Sequence, residues 1–122
     1  MLEILDIGIE KAVAYRLGGK ITEAEVNRVF SALEEKIARY EKILIYQEIQ
    51  SLGGVEFDAI LEKLKFLMEF GLSHFSRIAV VTHKEWMKRI IVLEDKLFKN
   101  IDMKAFSMEE KEQAVDFLRD VT

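Results

Sequence analysis

The sequence predicts an α/β fold: a mixed five-stranded sheet with about four helices, in the order β-β-α-β-α-β-α-β-α. The apolar run Ile78–Val81 is typical of a central strand that is covered on both faces. Strand-like segments alternate with amphipathic helical segments, which favours parallel strand pairs joined by right-handed crossovers. The first two strand-like segments follow each other directly, so an initial hairpin makes the sheet mixed.

Five segments have the apolar, β-branched composition of strands. Glu10 and Lys11 lie between the first two segments and form a connection short enough for a hairpin turn. The last segment alternates apolar and polar side chains, which indicates a strand at the edge of the sheet. The predicted strands are Leu2–Ile9, Ala12–Gly18, Ile43–Ile49, Ile78–Val81 and Asp102–Phe106.

Three of the predicted helices begin with a capping box, in which a serine or threonine and a glutamate three residues later satisfy free backbone N–H groups. The boxes pair Thr22 with Glu25, Thr82 with Glu85 and Ser107 with Glu110. The remaining helix ends before Gly71, because glycine commonly follows the last turn of a helix. The predicted helices run from Thr22 to about Tyr40, from about Phe57 to Phe70, from Thr82 to about Phe98, and from Ser107 to Val121.

Length, charge and composition restrict the class of protein. A chain of 122 residues without a visible linker predicts a single domain, residues 1–122. A net charge of -4 argues against a nucleic-acid partner. The chain holds no cysteine, which excludes disulfides, thiol nucleophiles and zinc–thiolate sites. Acidic residues near Met1 and the lack of a long apolar run favour a cytoplasmic protein over a secreted or membrane-spanning one.

The sequence predicts no catalytic residue, no metal site and no cofactor. His74 and His83 are the only histidines, and neither has a second histidine three or four residues away, as a metal site on a helix requires. No serine, histidine and carboxylate set is evident from the chain order. Gly18–Thr22 lacks the glycine spacing of a phosphate-binding loop, so a turn after a strand explains it. We therefore expect a protein that is not an enzyme.

The helix that begins near Trp86 is apolar over an unusually wide part of its surface. One row of apolar side chains comprises Trp86, Ile90, Leu93 and Leu97, and a second comprises Met87, Ile91 and Phe98. Such a helix is either deeply buried or in contact with a subunit, a lipid or a membrane surface. The segment Lys84–Lys104 carries six basic and four acidic residues, which favours an anionic membrane surface. A core helix with a solvated edge is the alternative.

The segment after the third predicted strand is a second candidate for ligand binding. In open α/β sheets, ligands bind beyond the carboxyl ends of the strands. The polar residues available there are Gln47, Glu48, Gln50 and Ser51, and Gly53-Gly54 would allow a ligand to approach the backbone. An ordinary flexible loop from Glu48 to Asp58 is the alternative interpretation.

Four segments carry a resemblance to a known family: Ala14–Thr22, Ile43–Ile49, Arg77–Trp86 and Lys104–Phe106. Together they make the chain resemble the SpoIIAA-like family, of the STAS-domain group, over nearly its whole length. The resemblance implies a mixed five-stranded sheet with helices packed against it, similar to the CRAL-TRIO lipid-binding domain. It also implies a non-enzymatic module, often dimeric, that binds small apolar or anionic ligands and associates with membranes.

One departure from the wider group concerns regulation. STAS anti-sigma-factor antagonists switch through a serine that is phosphorylated at the start of the helix after the third strand. In this sequence Ala59 stands where the resemblance would place that serine, and Ser51 lies too early to replace it. The resemblance therefore does not extend to the phosphorylation switch.

We therefore expect a homodimeric binding module for a small amphipathic or lipid-like ligand, with peripheral membrane association. The alternative is a regulatory STAS-type protein-interaction module that lacks the phosphorylatable serine and binds its partner at the Ser51–Ala59 edge. Ligand sites combine an apolar lining with a few placed polar groups. The predicted ligand-binding residues are the apolar Trp86, Met87, Ile90, Phe66 and Phe70, and the polar Tyr46, Gln47 and His83.

Overall fold

A five-stranded mixed sheet organises the chain. The computed structural model describes residues 1–19, 22–50, 74–83 and 102–119. Within these residues the sheet is accompanied by two helices. The strands are β1 (Leu2–Leu5), β2 (Ala12–Leu17), β3 (Ile43–Ile49), β4 (Phe75–Thr82) and β5 (Asp102–Ser107), and the helices are α1 (Glu23–Arg39) and α2 (Lys111–Arg119).

The order of the strands in the sheet follows their order in the chain, from β1 to β5. β1 and β2 are antiparallel, and the other three pairs are parallel. This confirms the predicted mixed sheet, its initial hairpin and the edge position of the last strand. The helices predicted at 57–70 and after Thr82 lie outside the described residues.

The connection between β1 and β2 is longer than predicted. β1 ends at Leu5, so the predicted strand Leu2–Ile9 is too long. The predicted turn at Glu10 and Lys11 is present, closed by the Ala12 N–H, which donates to the Ile9 carbonyl at 3.2 Å, but it forms only the last part of the connection. The Asp6 carboxylate accepts the Gly8 N–H at 2.9 Å, and Gly8 has a φ of 77°. This turn ends the strand, because an Asx-type bond and a positive φ are incompatible with extended backbone.

The two faces of the sheet form separate apolar cores, because alternate residues of a strand point in opposite directions. We call them the α1 face and the α2 face. The α1 face buries Val29 and Leu33 of α1 against residues that include Val13, Tyr15, Ile45, Ile49, Ile78 and Val80. The α2 face buries Ala114 and Leu118 of α2 against residues that include Ala14, Leu44, Tyr46, Ala79, Val81 and Phe106.

The capping box at the start of α1 is confirmed. The Thr22 hydroxyl accepts the Glu25 N–H at 3.2 Å, and the Glu25 carboxylate accepts the Thr22 N–H at 3.0 Å. The second carboxylate oxygen of Glu25 accepts the N–H of Leu2 at 2.6 Å. These backbone hydrogen bonds lower the pKa of Glu25 below its ordinary value. One side chain therefore caps the helix and attaches it to the first strand.

The start of α2 lies later than predicted. The Glu110 carboxylate does accept the Ser107 N–H at 2.9 Å, as a capping box requires. The helix nevertheless begins at Lys111, and the N–H of Ala114 donates to the Glu110 carbonyl. Glu110 therefore occupies the N-cap position that we predicted for Ser107.

Strand β4 extends beyond the predicted run Ile78–Val81 at both ends. At its start, Ser76 is skipped in the pairing with β3, and its hydroxyl donates to the Ile43 carbonyl at 3.2 Å. At its end, the buried Thr82 donates its hydroxyl to the Ile49 carbonyl at 3.1 Å. The predicted capping box of Thr82 remains a prediction, because Glu85 lies outside the described residues.

Loss of the first capping box should destabilise the protein measurably. We expect Thr22→Ala to lower the free energy of unfolding by about 1 kcal/mol, because the Glu25 N–H loses its acceptor. Urea denaturation measures this change. Ser31→Ala is the matched control, because this exposed position in the middle of α1 should change stability by no more than about 0.5 kcal/mol. Equal effects of both substitutions would contradict the role of the box.

Candidate functional site

A buried carboxylate lies on the α2 face near the carboxyl end of β3. Glu48 is only 2% exposed. One of its oxygens lies 3.3 Å from Arg16 Nε and 3.0 Å from Lys111 Nζ. The other accepts the Tyr46 hydroxyl at 3.1 Å and lies 3.4 Å from Arg16 Nη2. With Glu3, which pairs with Arg16 at 3.0 Å, these residues form what we call the Glu48 cluster.

The sheet register brings the members of this cluster together. Arg16 of β2 is the direct neighbour of Glu48 in the parallel pairing, and Glu3 of β1 is the neighbour of Arg16 on the other side. Tyr46 lies two residues before Glu48 and therefore on the same face. Lys111, the first residue of α2, completes the cluster from the helix. Four elements thus contribute to the cluster, and side chains of β2, β3 and α2 contact the Glu48 carboxylate itself.

The charges of the cluster hold Glu48 ionised. Burial alone would raise the pKa of the Glu48 carboxyl, but the hydrogen bonds and positive charges of Lys111 and Arg16 outweigh burial and lower it. Burial, and then the negative charge of Glu48, raise the pKa of the Tyr46 phenol. At neutral pH the phenol therefore donates to a carboxylate. The side chains of Arg16 and Lys111 are 26% and 43% exposed, so the cations reach solvent although the carboxylate does not.

The Glu48 cluster has the properties of a group that stabilises the fold rather than of a catalytic site. A general base must reach the proton that it removes from a substrate. Both oxygens of Glu48 are instead occupied by neighbouring side chains, and two cations neutralise the two carboxylates. Among the described residues, no buried side-chain nitrogen or oxygen lacks a hydrogen-bond partner, and no group of three or more acidic or histidine side chains is arranged to hold a metal ion.

A second feature is a groove beside the β1–β2 hairpin, which we call the hairpin groove. Its volume is about 470 Å³. It lies where the β1–β2 connection passes the middle of α1, and aliphatic side chains form most of its walls. The lining residues are Ile4, Leu5, Asp6, Ile7, Gly8, Ile9, Glu10, Ala12, Val13, Ala14, Ala32 and Lys36.

Polar groups of the hairpin groove come from the connection and from α1. The Lys36 ammonium donates to the carbonyl of Glu10. The Glu10 carboxylate accepts the Tyr40 hydroxyl at 3.4 Å, and the Asp6 carboxylate accepts the Gly8 N–H. Two carboxylates and one ammonium group therefore contribute to an otherwise apolar lining.

The structure separates the predicted polar site residues. Tyr46 points to the α2 face and bonds Glu48, whereas Gln47 points to the α1 face and donates its amide N–H to the Tyr15 hydroxyl. The two side chains therefore cannot line one pocket on one face. His83 is exposed directly after β4. The predicted apolar wall of Trp86, Met87, Ile90, Phe66 and Phe70 lies outside the described residues and stays a prediction.

Sequence reasoning missed the role of Glu48. The predicted strand Ile43–Ile49 contains Glu48 and is confirmed, but the prediction that Glu48 is a polar group open to a ligand does not anticipate its burial. One available signal was that Arg16 and Glu48 each precede the last apolar residue of their strands, which neighbouring parallel strands would place side by side. The contribution of Lys111 had no such signal. The sequence pattern gives no indication of the hairpin groove, because it predicts a strand that includes Ile7 and Ile9.

Comparison with known proteins identifies the family. The SpoIIAA-like family model matches residues 12–119, which include both helices and strands β2 to β5. The chain belongs to the SpoIIAA-like family. Its fold is that of a STAS-type module. The match contains Arg16, Glu48 and Lys111, whereas β1 and most of the hairpin-groove lining precede it.

A solved structure supports the same fold. It is the crystal structure of an uncharacterized protein with a SpoIIAA-like fold from Shewanella loihica, which is 22% identical to the chain with a TM-score of 0.71. The alignment covers 97% of this chain and 92% of that one. No curated protein gives a significant match. Neither of the two helices in the described part of the chain has the length and apolar character needed to cross a membrane.

Removal of the Glu48 charge should destabilise the fold. We expect Glu48→Gln to lower the free energy of unfolding by about 2 kcal/mol, because Arg16 and Lys111 lose their shared anion. Urea denaturation at neutral pH measures the loss. The control is Glu35→Gln, which breaks an exposed pair with Arg39 and should cost less than about 0.5 kcal/mol. A similar loss of unfolding free energy in both variants would show that the Glu48 cluster stabilises the fold no more than an exposed ion pair does.

The stabilising effect of Glu48 should depend on pH. Its folded-state pKa lies below the ordinary value, so its contribution is complete above the ordinary pKa and is lost as the pH falls through the folded value. We expect the difference in unfolding free energy between the wild type and Glu48→Gln to shrink below about pH 4. Chemical denaturation over a pH series tests this. A difference that stays constant into strong acid would contradict the assignment.

Proposed function

We propose that the chain is a cytoplasmic, non-enzymatic binding module that holds a small amphipathic, lipid-like molecule in the hairpin groove. The observation that carries this proposal is the groove itself. Its volume of about 470 Å³ falls within the usual range for small-molecule sites, and its walls are mostly aliphatic with a few polar groups. The occupied carboxylate of Glu48 supports a binding role over a catalytic one.

The charges of the groove favour a neutral polar head group. The Lys36 ammonium could donate a hydrogen bond to the head group, while the carboxylates of Asp6 and Glu10 could accept one. An anionic head group would be attracted by one charge and repelled by two. The apolar body of the ligand would lie against Ile7 and Ile9 in the connection. A hydroxyl-bearing amphipath fits these groups best.

Peripheral membrane association is part of the same proposal. The excess of basic residues over Lys84–Lys104 supports it, since basic residues beside an apolar helix favour anionic bilayers. Sedimentation with vesicles of phosphatidylcholine, with and without phosphatidylserine, tests this part. Binding that requires phosphatidylserine and falls with salt is expected. The absence of binding to either vesicle would remove membrane association from the proposal.

A regulatory protein-interaction module is the second candidate. Membership of the SpoIIAA-like family favours it, and Ala59 at the position of the switching serine implies a contact that phosphorylation does not control. The expected contact is the Ser51–Ala59 edge. Capture of a partner that is unchanged by charge reversal at Glu56 and Asp58 would count against this candidate.

Ligand binding can be tested with two amphipaths of equal chain length. We expect 1-decanoylglycerol, below its micelle concentration, to bind more tightly than decanoate in calorimetric titration. Ala32→Phe should weaken binding of 1-decanoylglycerol at least about tenfold, because the ring fills the groove from the α1 side. Ala38→Phe is the control, since this residue is exposed on the same helix and outside the lining. The proposal fails if the wild type binds neither amphipath, or if both variants bind equally well.

A further inference from the structure

The first residue of β2 directs its backbone groups toward the β1 side of the sheet. On the opposite side, the Lys11 carbonyl accepts the N–H of Leu44 in β3 at 3.0 Å. Backbone groups of successive strand residues point to opposite sides, so those of Ala12 face β1 and the connection. The Ala12 N–H does donate there, to the Ile9 carbonyl at 3.2 Å. The Ala12 carbonyl points the same way, into the space between β2 and the connection.

No strand residue pairs with this carbonyl. The last pair of the hairpin joins Leu5 to Ala14, and continuation of the same register would place Ile7 opposite Ala12. The pairing stops before that point, because β1 ends at Leu5. Within the described residues, the Ala12 carbonyl therefore has no hydrogen-bond donor. Since Ala12 lines the hairpin groove, this free acceptor belongs to the wall of the groove.

The surroundings of the Ala12 carbonyl make it a selective acceptor. Ala12 is only 8% exposed, and Leu5, Ile7 and Ile9 form apolar parts of the same lining. A ligand that displaces water from this carbonyl without donating to it leaves a buried polar group unpaired, which is unfavourable. The carboxylates of the groove are exposed and can keep water when a ligand binds, so they select less strongly.

We infer that a hydroxyl group of the ligand donates to the Ala12 carbonyl, in the place that Ile7 would take in a longer hairpin. The ligand is therefore a hydrogen-bond donor on an apolar chain, such as a long-chain alcohol or a monoacylglycerol. Simple esters and fatty-acid anions only accept hydrogen bonds, so they leave the carbonyl unpaired. The Lys36 ammonium can donate to any of these head groups and does not distinguish them.

The inference rests on the proposed function, because it concerns the same groove, and it adds the group that selects the ligand. A hydroxyl is suited to the site because it can accept a hydrogen bond from an ammonium while donating one to a carbonyl. The carbonyl is a backbone group fixed by the pairing of β2 with β3, so its position does not depend on a side-chain rotamer. The acceptor is therefore already in place before the ligand binds.

Carbonyl chemical shifts can locate the hydroxyl. Alanine precedes valine three times in the chain, at Ala12, Ala79 and Ala114. Protein labelled with carbonyl-13C alanine and 15N valine therefore gives three signals in an HNCO spectrum. Saturation with decan-1-ol should move the Ala12 signal to higher frequency, because a new hydrogen bond deshields the carbonyl carbon. Ala79 and Ala114 are internal controls and should not move, since both are buried and outside the groove lining.

Affinity measures the same selectivity. Decan-1-ol and methyl decanoate have similar apolar chains, but only the alcohol can donate a hydrogen bond. We expect decan-1-ol to bind at least about tenfold more tightly in calorimetric titration below the solubility limit of each ligand, because the ester leaves the Ala12 carbonyl unpaired. Ala32→Phe is the control and should weaken the binding of both ligands, since the ring fills the groove without removing the carbonyl.

Each outcome supports or overturns the inference. A shift of the Ala12 signal with decan-1-ol but not with methyl decanoate, together with tighter binding of the alcohol, supports it. If the two ligands bind equally well, or if the Ala12 signal does not move when decan-1-ol binds, the inference is overturned and the proposed function stands. If neither decan-1-ol nor 1-decanoylglycerol binds, the proposed function fails and the inference fails with it.

Discussion

The buried carboxylate of Glu48 is the constraint on which the arrangement of the sheet depends. A charge at this depth is tolerated only when cations accompany it, and the cations come from β2 and from α2. A slip of one residue between β2 and β3 would turn Arg16 to the α1 face and leave the carboxylate with a poorer set of partners. A misaligned pairing of β2 and β3 would therefore lose more stability than it would if the strands shared only apolar contacts.

The other side of the same two strands carries a matching constraint. Tyr15 and Gln47 are direct neighbours in the register, one rung before Arg16 and Glu48, and their side chains bond within the α1 face. Burial raises the pKa of the Tyr15 phenol, so this hydroxyl stays neutral. Two successive rungs thus carry polar pairs on opposite faces, and both pairs require the same alignment. The alignment of β2 with β3 is therefore determined by polar contacts on both faces of the sheet.

The sequence pattern predicted the fold better than the site, because the two depend on contacts of different range. Apolar runs such as Ile78–Val81 and the Thr22 capping box are local signals, and both led to correct elements. The end of β1 was missed because a single bond between Asp6 and Gly8 overrides the apolar character of Ile7. The Glu48 cluster joins residues that are far apart in the chain, so no local pattern shows that the carboxylate is buried. Similarly, the hairpin groove exists only when the connection is placed against α1.

The double role of Glu25 has a consequence for the way in which the molecule opens. The same carboxylate closes the first turn of α1 and holds the N–H of Leu2, so neither element can detach without disturbing the other. Local unfolding in proteins proceeds in cooperative units that often join neighbouring elements. The start of the helix and the first strand should therefore exchange their amide hydrogens together, as one unit, rather than fraying separately.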